Sequence, residues 1–199
     1  MDQISKIIQA DGQRIGDWMQ TYSGIQYWPC DPRVDEVCIE DIAHALSNIC
    51  RYAGHCKSFY SVAEHSVYVS LIVPPEHALT ALLHDATEAY VVDVPRPLKR
   101  FLTNYKEIEQ RNWMAIADKF NIPHDMPQCV KDADNAVLLA EKEYVMGPQP
   151  SPWAHIPLPD GLVDAADSAI LGHLSMACLP DHAKARFMDR YNEIKEYVA

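Results

Sequence analysis

Prolines do most to limit what this chain can become. From residue 40 onward, Pro74-Pro75, Pro95, Pro97, Pro123, Pro148 and Pro180 fall between segments whose apolar residues recur at helical spacing. A proline lacks a backbone donor and clashes with the preceding turn, so each marks a helix end or a first turn. Glu40-Asp41 lead into Ile42, Ala43, Leu46, Ile49 and Cys50, an amphipathic stripe that Gly54 stops. Ser61 and Glu64 form an S-x-x-E capping box opening a second helix with Val62, Val69 and Ile72, closed by Pro74-Pro75. A third helix is expected from about Glu76 to Tyr90, a fourth from Tyr105 to Phe120, and a fifth from Val130 to Met146. Residues 147–160 carry five prolines and read as a loop, a lid or pocket edge. Two helices, Leu162 to Leu179 and Asp181 to Val198, complete the chain. In the first 39 residues, Ile4, Ile7 and Ile8 suggest a short helix, and IQYW and EVCI, around Pro29 and Pro32, a small β-hairpin. The expectation is one all-α domain over residues 1–199, a helical bundle with a small N-terminal hairpin.

A length of 199 residues suffices for one buried core. No apolar run approaches the roughly 18 residues of a membrane span, so no membrane partner is expected. The opening MDQISKIIQADGQR has neither a basic n-region nor an apolar h-region. Cys30, Cys38, Cys50, Cys56, Cys129 and Cys178 form no CxxC and no pairing rhythm. Reduced thiols and a cytoplasmic location are the corresponding expectations. A net charge of −11 without a Lys/Arg cluster argues against duplex nucleic acid, whose backbone wants a basic face. A small anionic substrate binds such a chain only where a metal or a few local cations invert the field.

Chemistry concentrates on three of the expected helices. Ala81, His84, Asp85 and Glu88 stand at i, i+3, i+4 and i+7, one face of the third helix. Two carboxylates on one buried stripe are costly unless a cation or strong donors compensate. His65 lies in line with Val62, Val69 and Ile72, and Asp134 in line with Val130, Val137 and Leu138, so both point inward. Taken singly, each has a structural reading: a hydrogen-bonded core histidine, a common His-Asp dipeptide, an aspartate capping a loop or pairing with arginine. Taken jointly, one shared cation replaces several unrelated polar burials. Two imidazoles and two carboxylates suit a borderline or moderately hard divalent ion.

The order His … His-Asp … Asp resembles the HD superfamily of metal-dependent phosphohydrolases. RYAGHCKSFYSVAEHSV, ALLHDATEAYVVDVPRPLK and VKDADNAVLLAEKEY are similar to three blocks of the small HD nucleotidases, spanning residues 47–145. These are the bacterial 5′-deoxynucleotidases and the phage-type enzymes that hydrolyse deoxynucleoside triphosphates such as dATP. The resemblance implies an HD-domain helical bundle with a divalent ion (cobalt, manganese, zinc or magnesium) held by His65, His84, Asp85 and Asp134. It also implies that Glu88 orients or activates water, that Asp93 holds substrate or a second ion, and that Arg51 meets the phosphate. Lys99 is a second candidate cation, and His55, beside Gly54, either reaches a phosphate or caps the preceding helix. The substrate class is a nucleotide, monophosphate or triphosphate, and the family expectation is a homo-oligomer. Tyr52 stands where the deoxynucleotidase type has a tryptophan, so sugar selection does not carry over. Trp18, Tyr27, Trp28 and Trp153 either stack on a base or serve packing. Two alternatives stand beside the enzyme: a catalytically silent HD-fold module that binds nucleotides for regulation, and a purely structural ion. Glu88, which a silent module does not need, and the absence of cysteine from the ligand set weigh against them.

Overall fold

The computed structural model of the chain describes residues 14–172 and 178–198. The short helix expected around Ile4, Ile7 and Ile8 lies outside them. The described residues are mostly helical, as expected. In chain order they form β1 (Met19–Gln20), β2 (Gln26–Tyr27), α1 (Ile39–Asn48), α2 (Val62–Leu71), α3 (Ala78–Leu83), α4 (Glu88–Val91), α5 (Arg96–Lys99), α6 (Tyr105–Phe120), α7 (Gln128–Tyr144), α8 (Leu162–Leu171) and α9 (Pro180–Ile194).

The hairpin exists with a different partner from the one expected. Gln26–Tyr27 pairs antiparallel with Met19–Gln20, not with EVCI. The nearer partner needs only a short turn, where Gly24 takes a φ of 87° and Thr21 N–H donates to the Ile25 carbonyl at 3.0 Å. Pro29 and Pro32 cannot donate to a ladder on the other side. Val34–Glu36 forms a 3-10 turn instead, and Ile39 already opens α1.

Local signals fix several helix ends as expected. Ser61 Oγ accepts from Glu64 N–H at 3.2 Å, and Glu64 Oε2 accepts from Ser61 N–H at 2.9 Å, completing the capping box of α2. α6 stops at Asn121, whose left-handed φ of 52° sets it before Pro123. Pro180 occupies the first turn of α9. Among the described residues α8 ends at Leu171, with Gly172 as its C-cap, short of its expected run to Leu179. Residues 173–177, with His173, lie outside the description.

α2 is the axis of the molecule. Val62 to Ser70 are all buried, and the helix packs against α1, α3, α7, α8 and α9. A helix buried on every side has no solvent face on which to place a polar residue. One apolar cluster (Ile42, Leu46, Leu82, Ile116, Phe187) lies on its α1 and α9 side, and a second (Val69, Val130, Val137, Ile170) on its α7 and α8 side.

Candidate metal centre

α2 carries His65 into the interior, where any polar group must find a partner. The ring is fully buried, with Nδ1 2.6 Å from Glu141 Oε1 and Nε2 3.2 Å from Asp134 Oδ1. Asp134 and Glu141 both belong to α7, seven residues apart on one face.

His84 and Asp85 sit in a turn. The single helix expected from Glu76 to Tyr90 is divided into a 3-10 turn at Pro75–His77, then α3, a turn over residues 84–87, and α4. His84 Nδ1–H donates to the Ala81 carbonyl at 2.7 Å, the acceptor that Asp85 N–H would use in a continuous helix. The backbone tightens instead, with Ala86 N–H on the Leu83 carbonyl at 2.9 Å and Glu88 N–H on the Asp85 carbonyl at 3.0 Å. Such tightened turns recur at functional positions in helices. Here the turn aims His84 Nε2 at His65 Nε2, 3.3 Å away.

The four expected ligands meet. Asp85 Oδ2 lies 3.3 Å from His84 Nε2 and 3.6 Å from His65 Nε2, and Asp134 Oδ1 lies 4.0 Å from His84 Nε2. Ligand atoms of His65, His84 and Asp134 all fall within 4.8 Å of one another. Ligands about 2.0–2.1 Å from a tetrahedral ion stand roughly 3.3 Å apart, so the spacing fits a divalent cation. Both imidazoles commit Nδ1–H to an acceptor and turn Nε2 inward, the arrangement in which outer hydrogen bonds orient ligating histidines.

Electrostatics agree with that reading. Burial and Arg51 oppose protonation of His65, but Glu141 and Asp134 outweigh them and raise its pKa to about 9. A cation bound at Nε2 would compete with that proton. Burial opposes ionisation of Asp85, yet His84, His65 and Arg51 hold its carboxyl far below the usual carboxylate range. Asp134 is likewise lowered, against its burial, by His65 and His84.

Glu88, at the start of α4, is 7% exposed, and its Oε2 has no hydrogen-bond partner among the described residues. Burial, then Asp85 and Asp93, pushes its pKa well up, with Arg51 and Lys99 opposing. A buried, unpartnered carboxyl oxygen beside two carboxylates calls for a water, a proton or a cation. Asp93 is half-buried and is also raised, by burial first, with Arg51 lowering and Asp85 raising it.

The expected phosphate contacts divide. Arg51 is buried, with Nη1 3.5 Å from Asp85 Oδ2, while Nε and Nη2 sit on Glu141 Oε2 at 3.2 and 3.1 Å. Lys99 ends α5, pairs with Glu109 of α6 and lies 5.3 Å from the centre of the Tyr105 ring. His55 is exposed after the 3-10 turn Tyr52–Gly54 and makes no side-chain hydrogen bond among the described residues. The cluster does not include it.

Several participants escaped the sequence reading. Glu141, fully buried, also accepts from Tyr52 Oη at 2.5 Å and Tyr60 Oη at 2.9 Å. Its place seven residues after Asp134 was the available signal. Arg96 Nη2 donates to Asp134 Oδ2 at 2.8 Å and Nη1 to Asn135 Oδ1 at 3.1 Å. An arginine partner for Asp134 was one of the structural readings the sequence allowed, but only the return of α5 over α7 makes Arg96 that partner. Among the aromatic residues, Tyr27 is fully buried and stacked on Tyr90 with ring centres 3.7 Å apart, which makes it a packing residue. Trp28 lies under the Arg14 guanidinium at 4.2 Å. Trp18 and Trp153 are exposed. Residues 153–156 and 158–161 do edge a groove, but with Leu139, Lys142 and Val163, and none of the cluster lines it. The six cysteines are free, and no helix among the described residues is long and apolar enough to cross a membrane.

The chain is 40% identical to the uncharacterized protein YfdR of Escherichia coli over 179 residues, 90% of this chain and 96% of that one. It is 32% identical to an uncharacterized protein of Rhodobacter capsulatus over 144 residues, 65% of this chain and 74% of that one. No protein-family model matches.

Proposed function

The chain belongs to the family of the Escherichia coli protein YfdR, and we propose that it is a metal-dependent phosphohydrolase of the HD type acting on nucleoside phosphates. One observation carries the reading. The unpartnered, buried Glu88 Oε2 stands beside His65, His84 and Asp134, whose spacing fits one divalent ion, with Asp85 Oδ2 3.3 Å from His84 Nε2. A structural site has no use for an extra buried acid at its edge.

His65, His84, Asp85 and Asp134 would hold the ion. When bound, a divalent cation polarises a phosphoryl oxygen and makes water acidic enough to serve as a nucleophile near neutral pH. Glu88, as the carboxylate, would accept a proton from the attacking water, with a bound cation offsetting the burial and the acidic neighbours that otherwise favour its protonated form. Asp93 shares that negative edge and orients water or substrate. Arg51 offers Nη1 to a phosphate entering beside Asp85, and Lys99 adds a second positive charge near Glu88 and Asp93. In a chain with a net charge of −11, these local cations make the pocket hospitable to an anion. Nucleotide monophosphates and triphosphates place the same phosphoryl chemistry in such a pocket, so product analysis separates them.

The test is a panel of (deoxy)nucleoside mono- and triphosphates with cobalt, manganese, zinc and magnesium, with elemental analysis of the protein. Release of inorganic phosphate from monophosphates, or of tripolyphosphate from triphosphates, is the expected result. Asp85→Ala should lose metal and turnover together. Glu88→Ala should keep the metal and lose about 10²–10⁴-fold in kcat, the usual worth of a positioned acid–base group. A metal-free wild type whose activity ignores added ions and His84→Ala would sink the reading.

A further inference from the structure

Glu141 is the most heavily engaged buried acid among the described residues, and the chemistry above gives it no role. It is fully buried on α7, and Oε2 takes Arg51 Nε at 3.2 Å, Arg51 Nη2 at 3.1 Å and Tyr52 Oη at 2.5 Å. Oε1 takes Tyr60 Oη at 2.9 Å and His65 Nδ1 at 2.6 Å. These contacts are unequal in purpose. Arg51 neutralises the carboxylate and the two tyrosines supply further donors, so Glu141 remains an anion without needing a charged His65. A carboxylate oxygen 2.6 Å from Nδ1 accepts its hydrogen, so Nδ1 carries the ring proton. The other nitrogen, Nε2, is then the lone pair that faces His84, Asp85 and Asp134.

We propose that Glu141 is a positioning residue: by holding His65 Nδ1–H it fixes the tautomer in which Nε2 is the metal ligand, with Arg51, Tyr52 and Tyr60 holding Glu141 in place. The inference rests on the proposed metal centre and deepens it. A carboxylate in this position also makes the imidazole a stronger donor to a cation, and losing such a partner weakens metal binding about 10–100-fold. Arg51 is tied down by the same group. With two of its nitrogens on Glu141, only Nη1 is left for Asp85 and for anything bound beside it.

The experiment is zinc binding by calorimetry together with imidazole ¹⁵N NMR, on the wild type and on Glu141→Gln. In zinc-loaded wild type, His65 should show a protonated Nδ1 and a metal-bound Nε2. Glu141→Gln keeps the size and can still accept from Arg51 and Tyr52 through its amide oxygen, but its affinity for zinc should fall about 10–100-fold. Zinc-loaded Glu141→Gln should lose the single form of His65 with Nδ1 protonated and Nε2 on zinc in its ¹⁵N spectrum. A merely structural ion pair would leave both readouts unchanged in folded protein. If Glu141→Gln does not fold, the zinc-loaded wild-type spectrum alone decides: zinc on His65 Nδ1, or Nε2 still protonated with zinc bound, overturns the inference. A folded variant that binds zinc within twofold of wild type overturns it while leaving the proposed function standing. Wild type that takes up no zinc, manganese or cobalt overturns both.

Discussion

Val92 shows how a single residue is strained for the sake of its neighbour. It has a φ of 71° and a ψ of 149°, a region that a β-branched side chain enters at a cost of order 1–3 kcal/mol. Its N–H is held on the Glu88 carbonyl at 3.0 Å and its carbonyl accepts from Tyr105 Oη at 2.7 Å, so the surroundings impose the turn. The next residue is Asp93, close enough for its charge to raise the pKa of Glu88. The Val92 side chain is 60% exposed and contributes little packing. Val92→Gly should therefore stabilise the protein by about 1 kcal/mol after the entropic cost of glycine, roughly 0.5–1 kcal/mol, is subtracted. An increased denaturant midpoint with unchanged slope is the expected readout, and a decrease would contradict it. Nothing in the text VVDVP announces this strain, because it arises from Tyr105, thirteen residues on. Glu141 is a different case. Its spacing from Asp134 was readable, but a glutamate in an EKEY run resembles a solvated charge until four donors surround it.

At the scale of elements, local chemistry was legible wherever it was sufficient. Ser61 and Glu64 declared the start of α2 through a reciprocal pair of bonds that needs no other part of the chain. Ser61→Ala should cost about 1 kcal/mol by removing that cap, measured as a fall in the unfolding midpoint. Ser61 is fully buried, so a cost below a few tenths of a kcal/mol would show that the cap is dispensable. The break at residues 84–87 was not legible. Apolar spacing does not distinguish i→i+4 from i→i+3 hydrogen bonds, and both keep αR backbone angles at His84 and Thr87. The His84 imidazole decides between them by taking the Ala81 carbonyl. The hairpin failed for a related reason: EVCI has strand-like residues, but the nearer Met19–Gln20 reaches Gln26–Tyr27 with less chain to close.

For the whole molecule, the site joins elements that are distant in sequence. His65 comes from the buried axis, His84 and Asp85 from the broken helix, and Asp134 from α7. An ion bound to all of them stabilises only the folded chain. At a free concentration 100 times Kd this amounts to about 2.7 kcal/mol. For a domain of this size it corresponds to a rise in Tm of roughly 5–11 °C. The rise should vanish on chelation and be absent in His84→Ala. An equal rise in that variant would place the ion elsewhere.

By itself the sequence determined the class of fold, most helix ends and the candidate ligand types, because apolar period, proline and capping act within a few residues. It also supplied the order His65, His84-Asp85, Asp134, and inward-facing spacing for each. The tertiary structure alone decided that these donors converge within a few ångströms, that Glu88 Oε2 is left without a partner, and that Arg96 and Glu141 support the ligands. Proximity between α2, α7 and the 84–87 turn follows from how helices bury their apolar faces against one another. No local pattern encodes that distance.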